Sequence, residues 1–478
     1  MRSAPETDFR LSHVYVKPLP RRKCQGASDG DSMPGRRILV DGYNLSLEKG
    51  TGIATYARNL TFALKDIGHT VDMLYGLRLP PLKYPAAREM TFFDPTSSRP
   101  PRWLDGYERM RFAGTWWKDR VAKPVPRTGL VIETNFRARM PRFDGLYNVD
   151  GLYAKANGLH RHMGLPTTVR FAGPSPDIAH WTCPLPIRAK RAKNIYTIHD
   201  LVPMRLPFTT LDVNHRFVRL MEWIAATADH IVTISETSKR DIVNLLGVPE
   251  EKITNTYQAV DIPKAYLDKP QDIVADELKG MFGLDHKGYF LFFGAIEPKK
   301  NLGRLIQGYL ASGLKQPLVI IGEEAWLSDQ ELRFLAGDHA DHLSRLVQSG
   351  DTTQMRRDIR RFGYAPFPVL ISLIRGAIAV AAPSLYEGFG LPALEAMLCG
   401  TPVITSSEGA SPEIAGDAAL LVDPYDPTQI RDALRAIAGD PERAGEMAAK
   451  GRDRAAAFSV ERYRENLAAL YDKLESHG

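Results

Sequence analysis

Cysteine is scarce in this chain: Cys24, Cys183 and Cys399 are the only three in 478 residues, far apart and odd in number. That excludes a disulfide framework and a cysteine-based zinc site, and it fits a reducing cytoplasm. No run of 18 apolar residues occurs, so no transmembrane helix is expected. The basic N-terminal residues lead into no apolar signal core, which argues against secretion. Residues 1–33 are polar, interrupted by Pro, Gly and Ser, and without apolar periodicity; they are expected to be a disordered leader.

What is present is ordinary for a globular protein, with 44% hydrophobic and 25% charged residues. A chain of 478 residues suggests two or three domains. The net charge of +6 is modest, but Arg99 to Arg142 holds eleven Lys/Arg against four Asp/Glu, together with Trp103, Trp116 and Trp117. Such a stretch suits either a solvated, loop-rich face or peripheral contact with an anionic membrane surface at 99–142. No nucleic-acid readout motif accompanies it.

From Arg37 onward, apolar runs and helical periodicities alternate. Strands are predicted at 37–44, 194–200, 230–235, 289–296, 317–322, 377–384 and 402–407, and helices at 54–68, 238–247 and 301–313. The strands are continuous apolar runs rather than alternating ones, which indicates parallel sheets covered on both faces. Residues 260–284 show no strand pattern, and a new strand–helix series starts straight after. The fold class is therefore α/β, with two Rossmann-like domains at 34–262 and 280–458. Ligands in such sheets bind beyond the carboxyl ends of the strands, so two facing sheets share a cleft.

The stretch SLYEGFGLPALEAM (384–397) carries the chemistry. Pro392 suits the first turn of a short helix and Gly400 its end. Glu395 lies in that helix among Leu391, Pro392, Leu398 and Cys399, with no Lys or Arg at helical spacing to pair with it. A desolvated carboxylate needs donors, and the paired hydroxyls of a ribose fit its two oxygens. Glu387, in the preceding glycine turn, is placed to accept from a second set of sugar hydroxyls. The amides of Gly388, Phe389, Gly390 and Leu391 face out of the helix start, a setting that favours phosphate. In FGAIEPKKN (293–301), a strand ends at Gly294, and Lys299 and Lys300 precede a helix start, where a cation is unfavourable unless an anion is bound.

Weaker signals come from Gly322 in IGEEAW (321–326) and Tyr364 in RFGYAP (361–366), whose backbone groups suit a base. Gly52 opens a helix after the glycine turn EKGTG and faces a phosphate, an acceptor or nothing. His199 and Asp200 in TIHDLVP stand where a strand runs into a loop, and His199 there can donate to a reacting sugar or orient an acceptor. Asp29-Gly30-Asp31 lies in the leader and is a chance match to a metal motif. Gly388-Phe389-Gly390-Leu391-Pro392-Ala393 also fits a dinucleotide fingerprint, so an NAD-dependent dehydrogenase is an alternative; that fingerprint usually opens the first βαβ unit, whereas this one follows several strands.

With these residues in hand, the chain resembles glycosyltransferase family 4, retaining enzymes of the GT-B fold. The likeness runs from about Arg37 to the C-terminus and is strongest over 289–424. PSLYEGFGLPALEAMLCGTPVITSSEGASPEIAGDAALLVDP (383–424) matches the family signature almost without interruption. The resemblance implies that Glu387 contacts donor-sugar hydroxyls and Glu395 the nucleotide ribose. It implies that Lys300 binds the diphosphate, that turn amides cradle phosphate, and that His199 touches the donor sugar near its reacting carbon. Its last helix, here 460–476, often crosses back to the N-terminal domain.

The resemblance breaks at Ala295, where many members have an arginine; Lys299 supplies a nearby basic residue, as in the branch reading IEP-basic-Lys-Asn. That departure prompts a second alternative, a non-catalytic scaffold subunit. TIHDLVPMRLP and GAIEPKKN are most similar to bacterial O-antigen and exopolysaccharide mannosyltransferases. The implied activity is hexosyl transfer, with GDP-mannose the favoured donor and a UDP-sugar the alternative. The acceptor would be a saccharide or a lipid-linked one, at the inner membrane face or in the cytoplasm, with no metal and no cofactor.

Overall fold

A computed structural model describes residues 35–46, 52–79, 83–93, 110, 112–131, 140–209, 214–335 and 358–476. The expected leader, the Asp29-Gly30-Asp31 triplet, the glycine turn at 48–51 and much of 99–142 lie outside these residues.

Two sheets organise the chain from Arg36 on. The first contains β1 (Arg37–Asp41), β2 (Thr70–Tyr75), β3 (Arg120–Pro124), β4 (Gly145–Asn148), β5 (Thr167–Phe171), β6 (Ile178–Trp181), β7 (Ile187–Ala189), β8 (Lys193–Thr197), β9 (His230–Thr233) and β10 (Ile253–Asn255). Its strand order is β10-β9-β8-β6-β1-β2-β4-β3-β5-β7. The second contains β11 (Phe290–Phe293), β12 (Leu318–Ile321), β13 (Ile359–Phe362), β14 (Ala379–Ala382), β15 (Val403–Ser406) and β16 (Leu420–Val422). Its order is β13-β12-β11-β14-β15-β16, all parallel, which is the Rossmann arrangement with the reversal between β11 and β14.

The apolar runs became strands for the reason their composition suggested. FLFF of β11 and LVII of β12 are buried along their whole length, because helices cover both faces. Each strand is shorter than its apolar run, since apolar side chains continue into the packed turns, as at Ile296, which is fully buried beyond β11.

Two readings need correction. The first sheet is not wholly parallel: β3 pairs with β4 antiparallel, Lys123 opposite Asn148. No strand or helix is predicted over 69–193, so no pattern there set the direction of pairing. RFGYAP, which by its sequence suits a loop, is one only from Gly363 on, since Arg361 and Phe362 belong to β13. That strand is the sheet edge, where charged side chains are tolerated. Residues 260–284, which show no strand pattern, form helices Lys264–Leu267 and Gln271–Phe282, the second burying Val274 and Leu278.

The final helix, Val460–Ser476, packs against the helix Gly52–Ile67 that follows β1. Arg464 pairs with Asp66 at 3.0 Å, Tyr463 meets the ring of Tyr56, and Tyr471 Oη lies 2.6 Å from His180 Nδ1. Arg36 pairs with Glu475. No helix among the described residues is long and apolar enough to cross a membrane.

Candidate active site

Beyond the end of β14, the chain turns through Pro383–Gly390 into the helix Leu391–Leu398. Gly390 makes the turn possible: its φ of 107° is a conformation that side chains rarely adopt. Among the described residues, the amides of Gly388, Phe389, Gly390 and Leu391 donate to no protein group. They are the orphan donors expected of a helix start, gathered at the positive end of its dipole. Ser384, Glu387, Gly390, Thr405 and Ser411 line a small recess beside them.

The turn Pro298–Lys300 after β11 is stitched to this loop. Leu385 N donates to Lys299 O at 2.8 Å, and Asn301 Nδ2 donates to Pro383 O at 2.9 Å and Pro424 O at 2.6 Å. This stitching holds Lys300 Nζ 2.5 Å from Glu387 Oε1, with both side chains largely buried. Burial alone would push Glu387 up, but the Lys300 and Lys299 charges outweigh it and hold the carboxyl below its ordinary value. Lys299 Nζ lies 3.5 Å from Glu297 Oε1. Burial opposes its charge, yet Asp200, Glu387 and Glu297 together hold the ammonium above its ordinary range. Glu297 itself is buried and pushed up by that burial.

Glu395 stands apart from this cluster. It is partly buried on the helix; its carbonyl accepts from Cys399 N, while its carboxylate has no hydrogen-bond or ion-pair partner among the described residues. Burial pushes its carboxyl up to about 7, with Lys300 pulling the other way. An unpaired carboxylate beside bare amides can accept two hydroxyl protons from one vicinal diol.

The first sheet brings its own residues to the same place. Gly388 lies against the end of β8: an added Cβ would fall 2.5 Å from His199 O and 2.7 Å from Asp200 Cβ. Ser238 Oγ donates to His199 O at 2.9 Å. Gly52, at the start of its helix, faces Leu391, with an added Cβ 3.3 Å from Leu391 Cδ1. Glu413 caps the helix Glu236–Leu246 from the opposite sheet, accepting from Glu236 N, Thr237 N and Thr237 Oγ1 at 2.8, 2.9 and 3.0 Å. Tyr386 Oη donates to Asp241, which Arg205 also holds.

His199 Nε2 lies 2.8 Å from Thr182 O, and a carbonyl only accepts, so Nε2 carries the proton. Burial lowers the imidazole's pKa and favours its neutral form, which leaves Nδ1 as an acceptor. With its one N–H spent on Thr182, His199 offers Nδ1 as an acceptor.

The remaining expected residues divide. Gly294 and Gly322 end neighbouring strands, an added Cβ on Gly322 falling 1.9 Å from Gly294 O. Tyr364 is 70% exposed in the loop after β13. Phe389 contributes its amide only, because its ring is buried against Phe458. Ala295, exposed after Gly294, leaves the second basic position to Lys299. Sequence reasoning missed Glu297 and Glu413 as partners. Glu297 had one signal, a carboxylate two residues ahead of a lysine pair. Among the described residues, no three His, Cys, Asp or Glu side chains gather as metal ligands.

Two parallel-dominated sheets with strand ends meeting in this way define the GT-B class of glycosyltransferases. Two family models match in chain order, Glycosyltransferase Family 4 over residues 153–263 and Glycosyl transferases group 1 over residues 276–454. These two regions are similar to glycosyltransferase domains, and the chain resembles bacterial O-antigen mannosyltransferases. It is 32% identical over 250 residues to O-antigen chain mannosyltransferase B of Escherichia coli, covering 51% of this chain and 60% of that protein. It is 27% identical over 266 residues to D-inositol 3-phosphate glycosyltransferase 1 of Catenulispora acidiphila, covering 52% and 58%. The chain thus spans about three-fifths of the length of these relatives. Among solved structures, sucrose-phosphate synthase from Thermosynechococcus elongatus aligns over 93% of this chain and 100% of its own, with TM-score 0.57 and 18% identity. Anabaena HepE in complex with UDP and glucose aligns over 91% and 99%, with TM-score 0.59 and 14% identity.

Proposed function

We propose that this chain is a retaining glycosyltransferase that moves a hexose from a nucleoside diphosphate to a hydroxyl of a saccharide or lipid-linked saccharide. The observation that carries this reading is the set of four unpartnered amides at 388–391, flanked by Lys300 and Glu387 on one side and by unpaired Glu395 on the other. The amides and lysines suit a diphosphate, Glu395 the ribose hydroxyls, and Glu387 the hydroxyls of the sugar. His199 approaches from the other sheet, where the reacting carbon and acceptor would meet. Backbone groups near Gly294, Gly322 and Tyr364 would hold the base, and Gly52 would border the phosphates.

In the reaction, the bond from the anomeric carbon to the phosphate oxygen breaks while a bond to the acceptor oxygen forms on the same face. The acceptor proton passes to the leaving phosphate, so neither glutamate serves as nucleophile. Negative charge grows on that phosphate, and Lys300, Lys299 and the amides are placed to stabilise it.

GDP-mannose is the favoured donor, supported by the mannosyltransferase relatives; the place in metabolism would be surface-polysaccharide synthesis at the cytoplasmic face. A UDP-sugar is the second reading, favoured by the structural neighbour solved with UDP-glucose. A thermal-shift panel of GDP, UDP, ADP and their sugars tests both, since a ligand at 100 times its Kd stabilises by about 2.7 kcal/mol. Mass spectrometry of donor with candidate acceptors then reads transfer. Absence of any shift and any turnover would refute the proposal in favour of a scaffold role, and a shift with NADH alone would favour a dehydrogenase.

A further inference from the structure

Both lysines at the proposed donor site are already matched by carboxylates of the protein itself. Lys300 faces Glu387 at 2.5 Å, the two side chains only 17% and 13% exposed. Lys299 faces Glu297 at 3.5 Å, with the Asp200 and Glu387 charges also acting on it. Two ammonium groups thus stand among three carboxylates. An arriving diphosphate finds its cations occupied and meets additional negative charge.

If Lys300 turns to the phosphate, Glu387 loses its ion-pair partner and keeps only the Ser384 side chain and the charge of Lys299, and removing one member of a buried pair is strongly unfavourable. Backbone relaxation offers little relief. The Glu387 carbonyl accepts from Ala410 N at 2.9 Å, and the loop is pinned through Leu385 to the Lys299 carbonyl. What Glu387 needs is a substitute set of donors, and the hydroxyls of a sugar attached to the diphosphate are such a set.

We propose that Glu387 is a place-holder for the donor phosphate, releasing Lys300 only when the nucleotide carries a sugar, and thereby discriminating nucleotide sugar from bare nucleoside diphosphate. This inference rests on the donor-site reading above. A bare diphosphate either binds without Lys300 or leaves Glu387 without its ion-pair partner; a nucleotide sugar does neither. Once the sugar has left for the acceptor, Glu387 recaptures Lys300 and weakens the hold on the product.

The test is isothermal titration of the full chain with GDP, GDP-mannose, UDP and UDP-glucose, comparing wild type with Glu387→Gln. Glutamine keeps the shape of the side chain but cannot form the ion pair. Wild type is expected to bind a nucleotide sugar at least about tenfold more tightly than its bare diphosphate. Glu387→Gln is expected to bind the bare diphosphate about tenfold more tightly than wild type does, and the preference for the sugar-bearing form shrinks toward unity. Lys300→Gln provides an independent reading: it should lose more affinity for the nucleotide sugar than for the bare diphosphate, because only the former receives Lys300 in wild type. If Glu387→Gln does not fold, this variant decides alone. An unchanged preference in Glu387→Gln, or equal losses in Lys300→Gln, overturns the place-holder while leaving the donor site standing. Failure of wild type to bind any of the four ligands overturns both.

Discussion

Replacing Gly388 by alanine probes how the two sheets meet at the site. The added Cβ would lie 2.5 Å from His199 O and 2.7 Å from Asp200 Cβ, where real Cβ contacts come no closer than 3.0 Å. His199 O cannot easily yield, because it accepts from Ser238 Oγ at 2.9 Å and follows directly on β8. The loop carrying Glu387 must therefore withdraw by about half an ångström. Misplacement of about 1 Å can cost 10²-fold in rate, so a drop of roughly 10- to 100-fold in kcat/KM is expected for Gly388→Ala. Phe389 and the cluster of Val202, Leu206 and Leu385 pack beside this junction, and overpacking there costs about 1–3 kcal/mol in stability. The assay is transfer kinetics beside thermal melting and small-angle scattering, which reads separation of the two sheets. A variant with wild-type kcat/KM and unchanged scattering would show that the contact between Gly388 and His199 does not shape the site.

Three other outcomes follow from the geometry. Lys300→Ala should lower kcat by about 10²–10³, the usual loss for one preorganised charge-stabilising donor, and near-normal turnover would remove Lys300 from the mechanism. Glu413→Ala removes three hydrogen bonds and the anion at the start of the helix Glu236–Leu246. A loss of about 2–3 kcal/mol in denaturant unfolding, with scattering that reports a more open form, is expected; an unaltered unfolding midpoint would contradict it. Glu395 has a folded pKa of about 7 against 4.5 for the free side chain. Its contribution to stability is thus whole below pH 4.5 and lost as pH rises through 7, by about 2 kcal/mol after allowance for partial exposure. Glu395→Gln should flatten that slope. Donor hydroxyls favour the ionised form, so donor binding near pH 6.5 should release a proton, measurable by calorimetry in buffers of different ionisation enthalpy.

How much of this was legible in the sequence depends on whether the physical cause is local. Continuous apolar runs such as FLFF and LVII announced covered parallel strands, because burial on both faces removes polar residues from the strand itself. The glycine turn, Pro392 and the lysine pair before Asn301 marked strand-end loops, because dihedral preference and helix dipoles act over a few residues. Where no such local cause existed, the reading was silent. The strands β3 to β7 carry weak patterns, and β13 is a charged edge that resembles a loop.

The sequence determined the doubly wound second sheet and placed Lys300, Glu387 and His199 at strand ends, with Glu395 on the helix that follows. Only the tertiary structure decided that Lys300 and Glu387, 87 residues apart, share an ion pair, that Glu413 caps a helix of the other sheet, and that the Thr182 carbonyl accepts the N–H of His199. Periodicity reports which face of one element is buried. Which charges then meet is set by how the sheets stack, through contacts that no local spacing encodes.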